Sequence, residues 1–204
     1  MTIQAAGAAE NAAATASPWP AILTWRGHTV PRMESVRVQL NGNRIKASAR
    51  IIGGACAEHP AFSASYDLVT DEAGVTSRLS LRSTLKSGEQ QMSISRDEEG
   101  YWMVESSAAP AQRSQFGGAL DVDVALSPFF NTLPIRRLGL HNGPDDVQVP
   151  VVYVYLPKLE VKAATLTYSS GSDGIHVISP VSTSTVSVDN DGFLLDYPGL
   201  AERI

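Results

Sequence analysis

Apolar and polar side chains alternate with a two-residue period through most of this chain, and turn signals break the pattern at intervals of roughly 8–12 residues. The run from Gly117 to Leu140, GGALDVDVALSPFFNTLPIRRLGL, opens on the strictest example. Leu120, Val122, Val124 and Leu126 are apolar, with Asp121, Asp123 and Ala125 between them. That period belongs to a β-strand with one face on a core. Ser127-Pro128 ends the strand, because proline has no N–H for the ladder and restricts the residue before it. Phe129 and Phe130 dock the corner, and Asn131 to Pro134 is expected to turn the chain into a return strand from Ile135. Arg136 and Arg137, adjacent on that strand, would point to opposite faces. One of them is then expected beside Asp121 and Asp123 in a charge-assisted cluster.

The rest of the chain repeats the theme. Ser35–Leu40 and Arg44–Ile52 flank Asn41-Gly42-Asn43, a strong hairpin signal. Strands are expected over Phe62–Val69, Ser77–Leu85, Gln91–Arg96, Tyr101–Val104, Val147–Leu156, Val161–Tyr168, Ile175–Ile178, Ser182–Asp189 and Gly192–Tyr197, with Ser106–Gln115 as a connection. About a dozen short strands and no sustained helical period imply an all-β sandwich, barrel or roll. Residues 92–104 and 184–195 echo one another: strand, acidic turn closed by glycine, aromatic, strand. An internal duplication and the commonness of acidic hairpin turns both account for that echo.

With 204 residues, the length suits one all-β domain over residues 19–204. A net charge of −5 argues against a nucleic-acid partner, which calls for a basic face. No apolar run reaches the roughly 18 residues of a transmembrane segment. Residues 1–18 are rich in alanine, without Lys or Arg, and read as a disordered tail rather than a secretory signal. Cytoplasmic residence is the expectation, and the single Cys56 agrees with it.

The pattern Asp121-Val-Asp-Val124 followed by Pro128-Phe-Phe-Asn-Thr-Leu-Pro-Ile-Arg-Arg-Leu138 resembles the signature of the putative glycolipid-binding protein family. Tyr153-Val-Tyr-Leu-Pro-Lys-Leu159 and Val188-Asp-Asn-Asp-Gly-Phe-Leu-Leu-Asp-Tyr-Pro-Gly-Leu200 extend the resemblance, which covers Trp25 to Arg203. Ser127 and Phe130 stand where threonines are usual. The resemblance implies an antiparallel spiral β-roll, or incomplete barrel, similar to bacterial lipid-carrier folds. It also implies an amphipathic lipid, a glycolipid, as the ligand.

Several residues are candidates for chemistry. Asp121 and Asp123 lie about 7 Å apart by strand rise. They could pair with Arg136 or Arg137, contact a ligand, hold a divalent metal as a D-x-D pair, or serve a carboxylate-dependent glycosidase. Arg136 or Arg137 could instead hold an anionic head group. Asn131 and Thr132 complete the polar set of this segment. Val151 to Leu156, VVYVYL, is apolar on both faces, so each face needs a dry neighbour. A second layer, a partner copy and a lipid-filled roll interior all satisfy that. In the last case Val152, Tyr153, Val154 and Tyr155 line the pocket. Asp189 to Gly192 fails the calcium-loop pattern, since Pro198 stands where the closing Glu belongs. Four dispersed histidines and the lack of a nucleophile elbow or phosphate loop leave no metal, no cofactor and no catalytic residue to expect.

Overall fold

The computed structural model describes residues 19–107, 109–143 and 146–204; the tail expected over residues 1–18 lies outside them. In chain order the strands are β1 (Ala21–Gly27), β2 (Arg32–Asn41), β3 (Arg44–Gly53), β4 (Phe62–Thr70), β5 (Thr76–Leu85), β6 (Gly88–Arg96), β7 (Trp102–Ser106), β8 (Gln112–Ser114), β9 (Asp121–Val124), β10 (Asp146–Tyr155), β11 (Glu160–Gly171), β12 (Gly174–Ile178), β13 (Thr183–Val188), β14 (Leu194–Tyr197) and β15 (Ala201–Arg203). Among the described residues one short α-helix, α1 (Thr132–Arg137), interrupts them. The all-β reading holds.

All fifteen strands form one open sheet. The chain's two ends meet at its centre, where β1 pairs with β15, and a meander leads outward on each side to the edge strands β8 and β9. Every pairing is antiparallel except β9 with β10, which run parallel. The sheet curls into an incomplete barrel whose two ends are tied together. Thr76 N donates to Leu120 O at 3.0 Å, the Trp102 indole N–H to Ala119 O at 3.0 Å, and Ser83 Oγ to Pro157 O at 2.7 Å.

Alternation explains the strands locally. On β2 the side chains at 32, 34, 36 and 38 face inward while Met33, Ser35, Arg37 and Gln39 face solvent. The three acidic turns Asp71–Gly74, Asp97–Gly100 and Asp189–Gly192 share one geometry. In each, the aspartate accepts from the backbone N–H four residues on, and the glycine N–H closes on the aspartate carbonyl. Three copies of this turn, one of them outside the echoing segments, make a hairpin device a sufficient account of the echo. At Asp189 the remaining oxygen takes Arg203 at 2.7 Å, so its carboxylate is already engaged by protein donors. Among the described residues no cluster could hold a metal ion, and no helix is long and apolar enough to cross a membrane.

The expected return strand from Ile135 does not form. Pro128–Asn131 is a 3-10 turn and Thr132–Arg137 a helical one. This segment lies inside the curled sheet, with Phe129, Phe130, Leu133 and Ile135 at most 1% exposed. With no strand alongside to pair with, it must satisfy its backbone hydrogen bonds internally, and helical turns do so. Pro128 fits the first turn, where a missing N–H costs nothing. The Phe129 ring lies 6.3 Å from Trp25, 6.1 Å from Tyr66 and 6.4 Å from Phe193, and Phe130 sits 4.9 Å from Tyr66.

The expectation of an acyl-filled interior therefore needs correcting. The chain's own phenylalanines occupy that space.

Candidate functional site

The 3-10 and helical turns aim the polar residues of this segment. Successive helical residues diverge by about 100°, so Arg136 and Arg137 separate although they share no strand. Arg137 reaches Asp121, with Nη2 at 2.6 Å from Oδ2 and Nε at 3.3 Å from Oδ1. Asp121 is fully buried, and desolvation outweighs the guanidinium, leaving its carboxyl above the usual range. The expected Asp–Arg cluster exists, but between a strand and a helix.

Arg136 turns the other way, donating to Gly42 O at 3.3 Å with its guanidinium 5.0 Å from the centre of the Phe193 ring. Gly192 makes room for it. A Cβ there would stand 2.9 Å from Arg136 Cγ and 3.0 Å from His141 Nδ1, at a φ of +77°. Gly192→Ala should cost about 1–3 kcal/mol through the clash and the left-handed backbone, measurable as a lower midpoint in urea. An unchanged midpoint would show that the turn does not press on Arg136.

A cleft of about 430 Å³ opens beside the carboxyl end of β9. One wall is Val124–Ser127, in which Leu126 holds a φ of +71°, a conformation costly for a leucine. The opposite wall comes from the β12–β13 connection, with Val181 and Ser182, from Tyr197 at the end of β14 and from the turn after it. Asp123, 6% exposed, sits between them with no side-chain partner among the described residues. Burial pushes its carboxyl up to about 7; the Val124 backbone N–H works against that shift and the Asp121 charge adds to it. Tyr153 and Tyr197 lie near it, and burial first, then the Asp123 charge among others, raises both phenols. The Tyr197 hydroxyl is 2.8 Å from Ser182 Oγ. Deeper in, Tyr168 donates to Asn131 Oδ1 at 3.1 Å.

Behind the Val124–Ser127 wall lies a second buried acid. Glu34, 1% exposed on β2, accepts on Oε1 from Ser127 Oγ at 2.6 Å and from Tyr66 OH at 2.8 Å. Its Oε2 is buried without a partner among the described residues, and burial pushes the carboxyl up to about 7 despite those donors and Arg32. Ser127 thus joins the cleft wall to a carboxyl that a low-dielectric site favours in its neutral form.

The cleft gathers Asp123, Asn131 and Tyr153 from the expected residues. Asp121 and Arg137 brace it from within the core. Arg136 faces elsewhere, and Thr132 is fully buried with its hydroxyl unpartnered among the described residues. Val152 and Val154 alternate with Tyr153 on β10, so they point to its opposite, fully buried face. Tyr155 packs at 4.8 Å on Tyr153. VVYVYL is therefore covered within the chain, and its two apolar faces need neither a lipid nor a second copy. Sequence reasoning missed Glu34, Ser182 and Tyr197. Glu34 had a signal: it shares the inward phase of Val36 and Val38.

A family model described as Putative glycolipid-binding matches residues 22–203. A crystal structure of a DUF1089 family protein from Pseudomonas aeruginosa is similar in fold, with a TM-score of 0.68 at 24% identity over 88% of this chain and 95% of that one. No curated protein matches.

Proposed function

This chain belongs to the putative glycolipid-binding family, and from that premise we propose that it binds the head group of a glycolipid in the Asp123 cleft, without catalysis. The observation that carries this reading is Asp123 itself: a buried acid, unpartnered by any side chain, at the wall of an open cleft. A neutral carboxyl there donates one hydrogen bond and accepts another, which suits a sugar's hydroxyl and ring oxygens. Asn131, Ser182 and Tyr197 add polar atoms around it. The volume falls within the range of small-molecule sites, about 300–1,000 Å³, and has room for one sugar and the first carbons of a chain. Leu126 and the 62%-exposed Val181 offer that chain an apolar exit. The head group, rather than the acyl tail, is then what the protein encloses.

A two-carboxylate glycosidase needs both acids at one cleft. Asp121 is held by Arg137 and does not line it, which favours binding over hydrolysis. The test titrates the protein with an alkyl glucoside of short chain. Asp123→Ala should weaken binding at least about tenfold, the loss expected of one buried hydrogen bond to a ligand, while Asp123→Asn, which still donates and accepts, keeps most of it. Equal affinity in Asp123→Ala would overturn the reading.

A further inference from the structure

The outer face of β3–β6 carries polar and charged side chains that the cleft does not use. Direct cross-strand pairs place Arg50, Ser65, Arg82 and Gln91 in one row, and Ser48, Asp67, Ser80 and Ser93 in the next. Arg78 stands four residues before Arg82 on the same face of β5. All of these but Ser48 line a depression of about 690 Å³ that shares none of its lining with the Asp123 cleft. Arg50 and Arg78 make no hydrogen bond or ion pair among the described residues, and Arg82 meets Glu89 only at 3.5 Å. Strand spacing and rise separate Arg50 from Arg82 by about 10 Å and Arg78 from Arg82 by about 13 Å. Guanidinium side chains can span those gaps.

Asp67 lies inside this frame, beside Ser65 and Ser80. Of its oxygens, Oδ1 accepts from Ser48 at 2.6 Å. A bare inorganic anion would meet the arginines but be repelled by Asp67 and by Glu105, which lines the same depression across from Ser93. A neutral sugar would satisfy Asp67 and the serines but leave the guanidiniums of Arg50 and Arg78 idle. One ligand class uses both. We propose that this face binds an acidic saccharide, a carbohydrate carrying carboxylate, sulfate or phosphate. Its charged group would meet Arg50, Arg78 and Arg82, and its hydroxyls would donate to Asp67 and exchange hydrogen bonds with Ser65, Ser80 and Ser93. Planar, bidentate guanidinium recognition suits each of those anionic groups.

The test is calorimetric titration of the full chain at low salt with three probes: an oligogalacturonate, a malto-oligosaccharide of equal length, and inorganic phosphate. The oligogalacturonate should bind and lose affinity as salt rises; phosphate, and in the Asp123→Ala variant the neutral sugar, should bind at least about tenfold more weakly. The triple variant R50S/R78S/R82S should lose at least about tenfold in oligogalacturonate affinity. Should it fold poorly, R78Q alone must lower the affinity. Asp67→Asn should weaken the oligogalacturonate but not phosphate. Asp123→Ala should leave this binding unchanged, which separates its failure from that of the cleft. The proposal is overturned if the oligogalacturonate does not bind, if phosphate binds as well, or if removing the arginines changes nothing.

Discussion

Arg137→Ala should destabilise the protein by roughly 3–5 kcal/mol, while Arg136→Ala costs no more than about 1 kcal/mol. The two residues are adjacent and chemically identical, so the contrast isolates environment. Arg137 forms a two-point contact with a fully buried carboxylate. Truncating it strands Asp121 in a medium that cannot solvate its charge, and the acid must protonate or draw in water. Arg136 loses one hydrogen bond of 3.3 Å and a cation–π contact at 5.0 Å, both at its half-exposed end. Urea denaturation of the two variants reads the difference directly. Adding Asp121→Asn to Arg137→Ala should restore part of the loss, because a neutral amide is cheaper to leave unpaired than a charge. Equal losses in the two single variants would remove the buried pair as the anchor of α1.

The same pair shows what could be read from the sequence. Strands such as β2 to β6 were legible because an antiparallel meander keeps its pattern local: each strand pairs with the next, and one period of two describes both faces. Asn41-Gly42 marked its hairpin for the same reason. The segment after Ser127 carried no such period. Its conformation depends on lying inside a curled sheet whose edges come from residues far away in the chain, and no window of neighbours encodes that. The parallel pairing of β9 with β10 is a long-range fact of the same kind. The charges were still legible, because a buried carboxylate needs a cation whatever element delivers it. The cleft was half legible. Asp123, Asn131 and Tyr153 fall in motif-rich segments, whereas Ser182 and Tyr197 reach it only when the β12–β13 connection and the turn after β14 fold across Ala125–Ser127.

Stability should fall as pH rises from about 4 to about 8, by up to roughly 7 kcal/mol, opposite to the usual behaviour of paired carboxylates. Glu34 and Asp123 are the cause, each pushed up to about 7 chiefly by burial. In the unfolded chain such groups titrate near 4.3 and 3.9. Between those values and 7 the folded state holds more protons than the unfolded one, so each added unit of pH favours unfolding. The contribution is complete below the unfolded pKa values and is lost as pH passes through 7. Asp121, also raised, acts in the same direction. The acids held low, Glu58 by the Cys56 thiol, Asp97 by the Tyr101 N–H and Glu202 by Arg26, act the other way, but they sit in solvent that screens them. Glu34→Gln replaces a neutral acid by a neutral amide that still accepts from Tyr66 and Ser127. It should flatten about half of the slope and leave the variant more stable than the wild type at about pH 8. Asp123→Asn should remove much of the rest. Because Ser127 joins Glu34 to the cleft wall, the alkyl glucoside should weaken over the same pH interval. Denaturation midpoints at several pH values decide the matter: a flat or rising profile would mean that water reaches these acids and that neither is held in its neutral form.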